Sequence, residues 1–517
     1  MYNFDMADIH TSLYNFMRAY RNKDVTATAI IRGSHKMSYD RFFKEIDKVA
    51  GGLFKAGVRK GDVVMLALPN IEQSIIAAYA CSRIGAIASM IHPKLSSDEF
   101  ESAVKKLQPK IVFLSDVNMG AYFSRCHGAK RVICHFCIYD YIGLPHSKYF
   151  EAYDGDGEEI MFYMQSGGTS GEPKTVAISS RCANAMANNL LAHLGDKFDS
   201  HNAMLVVLPM FHGFGLCVGM HAAICTDMHV VLQPIFNAKK TARIIKKQKI
   251  TTILAVPRMV QKLLACDEFN GKGISSIEDV FVGGDTVDKE LVRKFDERMK
   301  ECGGKGTLSP GYGLTETASV CTVTNGDFVD GSVGKPLKNV FVKIVDEDLK
   351  QVPVGSVGEL LVSGEQMMTG YVGDEEATKK ALISLDGRTW VRTGDYFRQD
   401  EQGRLFFMGR KKRLIKISGI NVFPTEIEKV VKELPFINEC ACIEYRVKGK
   451  PFIKVLVEGE ISDAQKQAVI AHVAKRMSHW NIPRCVECVK EFPRTKIGKI
   501  DIKGLNYEFG KDTQGGQ

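Results

Sequence analysis

A chain of 517 residues, 45% hydrophobic and 25% charged, is long enough to bury cores without disulfides or metals, and its length predicts roughly three structural units. That composition excludes disordered, collagen-like and miniprotein scaffolds. The net charge is +9, from 69 Lys and Arg against 60 Asp and Glu, which suits nucleic acid, a membrane surface or anionic small molecules until its location is known.

Residues Met1 to Arg18 lack a basic region followed by an apolar run, so no leader is expected. Fourteen cysteines in so long a chain fit a reducing cytosol, and a cytoplasmic location is the expectation. Phe42, Ile46, Val49, Ala50 and Leu53 recur at helical spacing. Val63 to Leu68 reads as a buried strand, Ser74 to Ile84 as a helix and Ile87 to Ile91 as a strand. Ser96 and Glu99 form a capping box for a helix to Leu107, and Ile111 to Leu114 is the next strand. This is βαβαβ grammar, which predicts a mainly parallel sheet covered by helices.

Two CxxC pairs, Cys134 with Cys137 and Cys485 with Cys488, raise zinc as one reading. Both lie in apolar, strand-like runs, where packed thiols are the simpler reading. Met204 to Thr226 carries no Asp, Glu, Lys or Arg, a length that can span a bilayer. Pro209, His212, Gly213, Gly215, Gly219 and His221 interrupt it and no basic or aromatic belt flanks it. It is expected to be a buried strand, a loop and a buried helix.

The strand and helix pattern returns with Thr252 to Val256, Pro257 at a helix start, Val280 to Val282 and a helix through Leu291 to Met299. A second sheet unit follows from it. Beyond Gly331 the chain changes to short alternating strands with Gly turns, Val340 to Val345, Gly358 to Val362, Thr389 to Arg392 and Arg404 to Met408. They predict a small antiparallel β unit. A basic cluster, Arg410 to Arg413, precedes a mixed segment with one helix at Ser462 to Met477. The expected fold is α/β: a large N-terminal domain, residues 1–410, of two βαβ-type sheets and a small antiparallel β unit, then a small α+β domain, 411–517, joined near Lys412.

The strongest local signal is Ser166-Gly-Gly-Thr-Ser-Gly-Glu-Pro-Lys174, directly after the apolar run Ile160 to Met164. Such a loop brings backbone N–H groups close to phosphates, with hydroxyls and a lysine as further donors. It lacks the P-loop spacing. Further along stand Pro209-Met-Phe-His-Gly-Phe-Gly215, Gly311-Tyr-Gly-Leu-Thr-Glu-Thr317, Arg392-Thr-Gly-Asp395, Gly409-Arg410 with Pro424-Thr-Glu-Ile-Glu428, and Pro493-Arg-Thr-Lys-Ile-Gly-Lys499. In this order the six motifs resemble those of the adenylate-forming superfamily of acyl-CoA synthetases, adenylation domains and luciferases, from about residue 25 to about 505.

The resemblance implies that a carboxylate reacts with ATP to give acyl-AMP and pyrophosphate, and that the acyl group then passes to a thiol. Negative charge gathering at the α-phosphate is the main obstacle, so cations and aligned donors are needed. It further implies that Ser166, Gly168, Thr169, Ser170, Gly171 and Lys174 hold the β- and γ-phosphates, with Gly284, Asp285, Gly311 and Gly313 as further nucleotide contacts. Thr315 would meet the α-phosphate, Glu316 would bind Mg²⁺, Tyr312 would stack on adenine, Asp395 would take the ribose hydroxyls and Arg410 would contact ribose and phosphate. Lys499 would be the catalytic cation of the first step. Lys412 matches a hinge about which the small domain turns, bringing Ser418 and Gly419 to the thiol tunnel.

His212 matches the gating position beside the acyl pocket, which Phe211, Phe214, Gly215, Val256 and Gly283 would line. Amino-acid-activating relatives place an Asp in this region for the substrate ammonium, and none occurs from Met204 to Thr226. An uncharged acyl or aryl acid is therefore expected. Four positions depart from the family pattern: Thr175 stands where Gly is usual, Gly167 replaces a frequent Ser, and Lys411-Lys412 replaces a commonly acidic pair. The expected activity is an ATP- and Mg²⁺-dependent carboxylate:CoA ligase. The alternatives are a free-standing ligase for an acyl carrier protein and a catalytically idle homologue. Residues 503–517 read as a short polar tail, so no carrier domain is expected after the sixth motif. Nucleic acid is not an expected partner, because aromatic residues do not interleave with the basic cluster.

Overall fold

The computed structural model describes residues 8–20, 24–136, 139–166, 174–194, 202–226, 228–417, 420–447, 449–494 and 500–510. These fall into two compact units, the first made of residues within 8–342 and 361–392, the second of 343–360 and 393–510. The chain passes between the two within the strands Phe341–Val345, Val357–Ser363 and Arg388–Gln399. Lys412 lies inside the second unit.

Two large sheets build the first unit. In the seven-stranded sheet Ile160–Gln165, Ile87–Met90, Val63–Leu66, Ile111–Ser115 and Lys130–Cys134 run parallel in that order. This is the sheet that the early βαβ grammar predicts. Its helices follow the sequence pattern: Tyr39–Lys55 buries Phe42, Ile46, Val49, Ala50 and Leu53, and Glu72–Arg83 is buried on almost every face. Ser97–Leu107 begins with the expected box, the Ser96 hydroxyl accepting from the Glu99 N–H and the Glu99 carboxylate accepting from the Ser96 N–H at 2.9 Å.

The nine-stranded sheet has a parallel centre in the order Thr307–Leu314, Asp279–Val282, Thr252–Ala255, Ala203–Val206, His229–Leu232 and Thr28–Arg32. From Ala203–Val206 the chain goes first to a neighbour on one side, His229–Leu232, and next to a neighbour on the other, Thr252–Ala255. Strand order therefore reverses there. Ligands of open α/β sheets bind at such a reversal, beyond the carboxyl ends of the strands.

The uncharged stretch contains the strand Ala203–Val206, a loop, a π-helical run Phe214–Ala222 and one α-turn Ala223–Cys225. Among the described residues no helix is long and apolar enough to cross a membrane. Gly215 lets the helix close on its own loop, because a Cβ there would strike the carbonyls of Leu208 and Pro209.

Of the expected antiparallel strands, Thr389 to Arg392 and Arg404 to Met408 correspond to Arg388–Gln399 and Leu405–Arg410, which pair antiparallel over Asp395 to Gln399, while Arg388 to Val391 pairs with a further strand that was not expected, Leu382–Leu385. In the second unit the sheet Cys440–Val447, Lys450–Glu458 and Cys485–Val489 carries helices on both faces. Alternation along the first strand decides the sides. Cys440 and Cys442 face Ile427, Val431, Val469 and Val473, from the helices Pro424–Val431 and Asp463–Arg476. Ala441 and Ile443 face Leu505, from Ile502–Phe509. Cys485 and Cys488 lie three residues apart on one strand, and so on opposite faces. That spacing does not converge on one metal ion.

Candidate active site

Four carboxyl ends of the nine-stranded sheet carry one group of the predicted site residues. The loop after Ala203–Val206 holds Phe211 and His212, Thr252–Ala255 leads into Val256, Asp279–Val282 into Gly283 and Gly284, and Thr307–Leu314 into Thr315 and Glu316. These elements meet closely. A Cβ built on Gly283 would stand 3.5 Å from both the Phe214 ring and the Gly311 carbonyl, and one on Gly284 would be 3.7 Å from Val256. Gly284 has φ +81° and is exposed, so backbone there is open to a flat ligand. Asp285 turns its carboxylate to the Thr286 N–H at 2.9 Å.

Thr315 and Glu316 ride on a single 3₁₀ turn, Thr315–Thr317. Its shape is held from several directions. The Thr317 hydroxyl bonds back to the Leu314 N–H and carbonyl at 3.3 and 3.1 Å, and Ala318 closes the turn at φ +55°, a left-handed conformation uncommon for alanine. Gly313 passes so near the Ser319 carbonyl that no side chain fits, and Gly213 brings the His212 loop against Ala318, where a Cβ would be 2.9 Å from its carbonyl oxygen. Tyr312 and Glu316 are half-buried. The Glu316 carboxylate accepts a 2.8 Å hydrogen bond from the Tyr371 hydroxyl.

The Gly-rich motif is the connection of an antiparallel hairpin, Ile160–Gln165 with Thr175–Ser179. Its neck is closed by Ser166 N–H to the Lys174 carbonyl at 2.8 Å and Lys174 N–H to the Ser166 hydroxyl at 3.2 Å. Gly168, Thr169, Ser170 and Gly171 lie outside the described residues. The Lys174 ammonium stands 4.5 Å from the centre of the Tyr371 ring, a cation–π contact.

His212 is half-buried in a short ladder of rings: its centroid is 4.5 Å from that of Phe211, which is 4.4 Å from that of His92. Asn70 pins the same loop, donating to the Leu208 carbonyl at 2.8 Å and accepting from the Met210 N–H at 3.0 Å. Neither Asn70 nor His92 stands out in the sequence. Gln366 and Tyr371 were likewise silent, because what identifies them is a partner far away along the chain.

In the second unit Asp395 and Arg410 are direct partners across two strands, with Arg410 Nε 3.6 Å from Asp395 Oδ1. Asp395 is only 2% exposed, which makes it a carboxylate positioned by the fold. Lys411 pairs with the buried Glu359 at 3.1 Å, and Lys412 shares its exposed 3₁₀ turn. Ser418, Gly419 and Lys499 lie outside the described residues.

The family described as AMP-binding enzyme matches residues 16–372, and its C-terminal domain matches residues 426–499. The chain belongs to the AMP-binding enzyme family. The motif resemblance to the adenylate-forming superfamily and the acyl-CoA synthetase branch is thereby confirmed. This AMP-binding enzyme is 27% identical over 492 residues to a 4-coumarate–CoA ligase of Humulus lupulus, covering 89% of this chain and 87% of that one. It is also 27% identical over 522 residues to a long-chain-fatty-acid–CoA ligase of Bacillus subtilis, covering 92% and 90%. ATP-bound MatB from Rhodopseudomonas palustris shares the fold with a TM-score of 0.87 at 21% identity, over 96% of this chain and 98% of that one.

The residues present fit a magnesium nucleotide. Glu316 and Thr315 offer hard oxygens, Lys174 a cation, and the glycines at 283, 284, 311 and 313 bare backbone beside Tyr312. One protein carboxylate is a common complement for Mg²⁺ that is otherwise held by phosphates and water.

Proposed function

We propose that this enzyme is an ATP-dependent, AMP-forming acid–CoA ligase for a carboxylic acid with an uncharged acyl or aryl tail. The observation that carries the reading is the juxtaposition, at the carboxyl ends of one sheet, of Thr315 and Glu316 with an apolar wall: Phe214, from the stretch free of acidic side chains, beside Gly283, and Val256 beside Gly284. In the first step a substrate carboxylate oxygen bonds to the α-phosphorus of ATP and pyrophosphate leaves. In the second, a thiol sulfur bonds to the acyl carbon and AMP leaves, its departing oxygen taking the electron pair. The relatives named as CoA ligases support CoA as the thiol.

Thr315 is assigned to the α-phosphate, and Lys174 with the 166–171 loop to the outer phosphates. Glu316 would hold Mg²⁺, which supplies positive charge beside the phosphate oxygens when bound. Tyr312 is assigned to the adenine and Asp395, steadied by Arg410, to the ribose hydroxyls. Lys499 is assigned to the transition-state charge of the first step. His212 gates the acyl pocket, Lys412 is the hinge between residues 1–410 and a lid of 411–517, and Ser418 and Gly419 belong to the thiol-facing surface.

The test is a panel of aliphatic and aromatic acids with ATP and Mg²⁺. Acid-dependent exchange of labelled pyrophosphate into ATP is expected without CoA, and AMP release when CoA is added. No exchange with any acid would reject adenylation. Exchange followed by thioester formation only on a phosphopantetheinylated protein would replace CoA by a carrier.

A further inference from the structure

The segment 366–372 belongs to none of the six motifs, yet it stitches two of them together. The Gln366 amide donates to the Thr317 and Val320 carbonyls at 3.1 and 2.7 Å, and the Met368 N–H donates to the Glu316 carbonyl at 2.8 Å. Two residues on, Gly370–Tyr371 forms a short antiparallel strand against Ala177 and Val176, and the Val372 N–H donates to the Thr175 carbonyl at 2.8 Å. One end of the segment thus holds the Glu316 turn of the nine-stranded sheet. The other end holds the outgoing strand of the phosphate hairpin, next to Lys174. Tyr371 is where both lines of contact meet, its hydroxyl on Glu316 Oε1 at 2.8 Å and its ring 4.5 Å from the Lys174 ammonium.

A carboxylate on a freely rotating side chain must be ordered before it can serve a cation, and a hydrogen bond to one oxygen fixes its orientation while leaving the other to bind. We propose that Tyr371 is a positioning residue for the metal–nucleotide complex: its hydroxyl aims the Glu316 carboxylate, and its ring face stations Lys174 beside the same point. This rests on the functional reading above and adds to it a residue outside the motifs. Tyr371 itself touches neither phosphate nor metal in this role. It acts by setting where Glu316 and Lys174 stand.

The test measures ATP binding by calorimetry as a function of Mg²⁺, so that turnover is not the readout. Tyr371→Phe keeps the ring under Lys174 and removes only the hydroxyl. It should raise the Mg²⁺ concentration needed for half-maximal enhancement of ATP affinity by about ten-fold, the scale of outer-shell effects on metal affinity, while Mg²⁺-free ATP affinity and melting temperature stay at wild-type values. Glu316→Gln should abolish the enhancement, and adding Tyr371→Phe to it should change nothing further, because the hydroxyl acts through that carboxylate. Tyr371→Leu, which also removes the ring, should weaken Mg²⁺-free ATP binding as well. A Tyr371→Phe titration that superimposes on wild type would overturn the proposal, as would equal losses with and without Mg²⁺. Wild-type protein that binds no ATP at any Mg²⁺ concentration would instead remove the functional reading, and this inference with it.

Discussion

His221 is fully buried inside the π-helical run, between two partners that define its proton. Asn184 spends its amide N–H groups on the Ile9 and Thr11 carbonyls, so its oxygen is the acceptor for His221 Nε2–H at 3.1 Å. Nδ1 is then the acceptor for the Tyr79 hydroxyl at 3.0 Å. Both ring nitrogens are satisfied in the neutral form, and burial pulls the pKa from 6.5 down to about 3. Because the unfolded chain takes up this proton near 6.5 and the folded chain does not, stability is full above that pH and is lost as pH falls toward 3. The slope is about 1.4 kcal/mol per pH unit for one proton. Urea unfolding at about pH 7.5 and pH 5 should therefore show about 2 kcal/mol of loss from this residue. His221→Gln should start less stable at the higher pH but fall by that much less between the two. Equal falls in both proteins would show that His221 is protonated in the fold.

At the scale of elements, the loop after Ala203–Val206 has no regular structure of its own to hold Phe211 and His212, and Asn70 supplies the missing frame. Its amide meets a carbonyl and an N–H two residues apart, as a neighbouring strand would. Asn70→Ala leaves both backbone groups buried without that partner, at about 1–3 kcal/mol. The expected result is a lower melting temperature together with a KM for the acid raised about ten-fold or more and a KM for ATP that hardly moves. Equal increases for both substrates would mean that Asn70 supports the whole unit and not this loop. Such a clamp is illegible in sequence because Asn70 and its partners are about 140 positions apart. What was legible was local. Ser96 signals its helix through Glu99 three residues away, and Pro257 marks the first helical position by its own ring. The π-helical form of Phe214–Ala222 had no such signal, since a run that is apolar on every side has no face to reveal its period. The candidate site divides in the same way. Thr315, Glu316 and Lys174 announce themselves in motifs, whereas Tyr371, on which Glu316 and Lys174 both converge, is visible only when the two sheets are in place.

Across the whole chain the charge is unevenly spread. From Arg410 to the end there are 21 Lys and Arg and 13 Asp and Glu, a balance of +8, against +1 for the preceding residues with 48 and 47. Ion pairs such as Arg413 with Glu428, Lys454 with Glu487 and Lys466 with Asp463 satisfy individual side chains. They cannot cancel the surplus, because each removes one charge of either sign. A surplus confined to about 100 residues draws anions from the distance of a Debye length, about 10 Å at moderate salt. In the proposed reaction the late-arriving anion is CoA, whose phosphates lie away from the reacting sulfur. Raising salt from about 0.05 to about 0.5 M should therefore raise the KM for CoA several-fold through screening. Pantetheine, which offers the same thiol without those phosphates, should show little salt dependence under the same conditions. If the two thiols respond alike, the basic C-terminal portion is not what draws in the acceptor, and its charge serves another end.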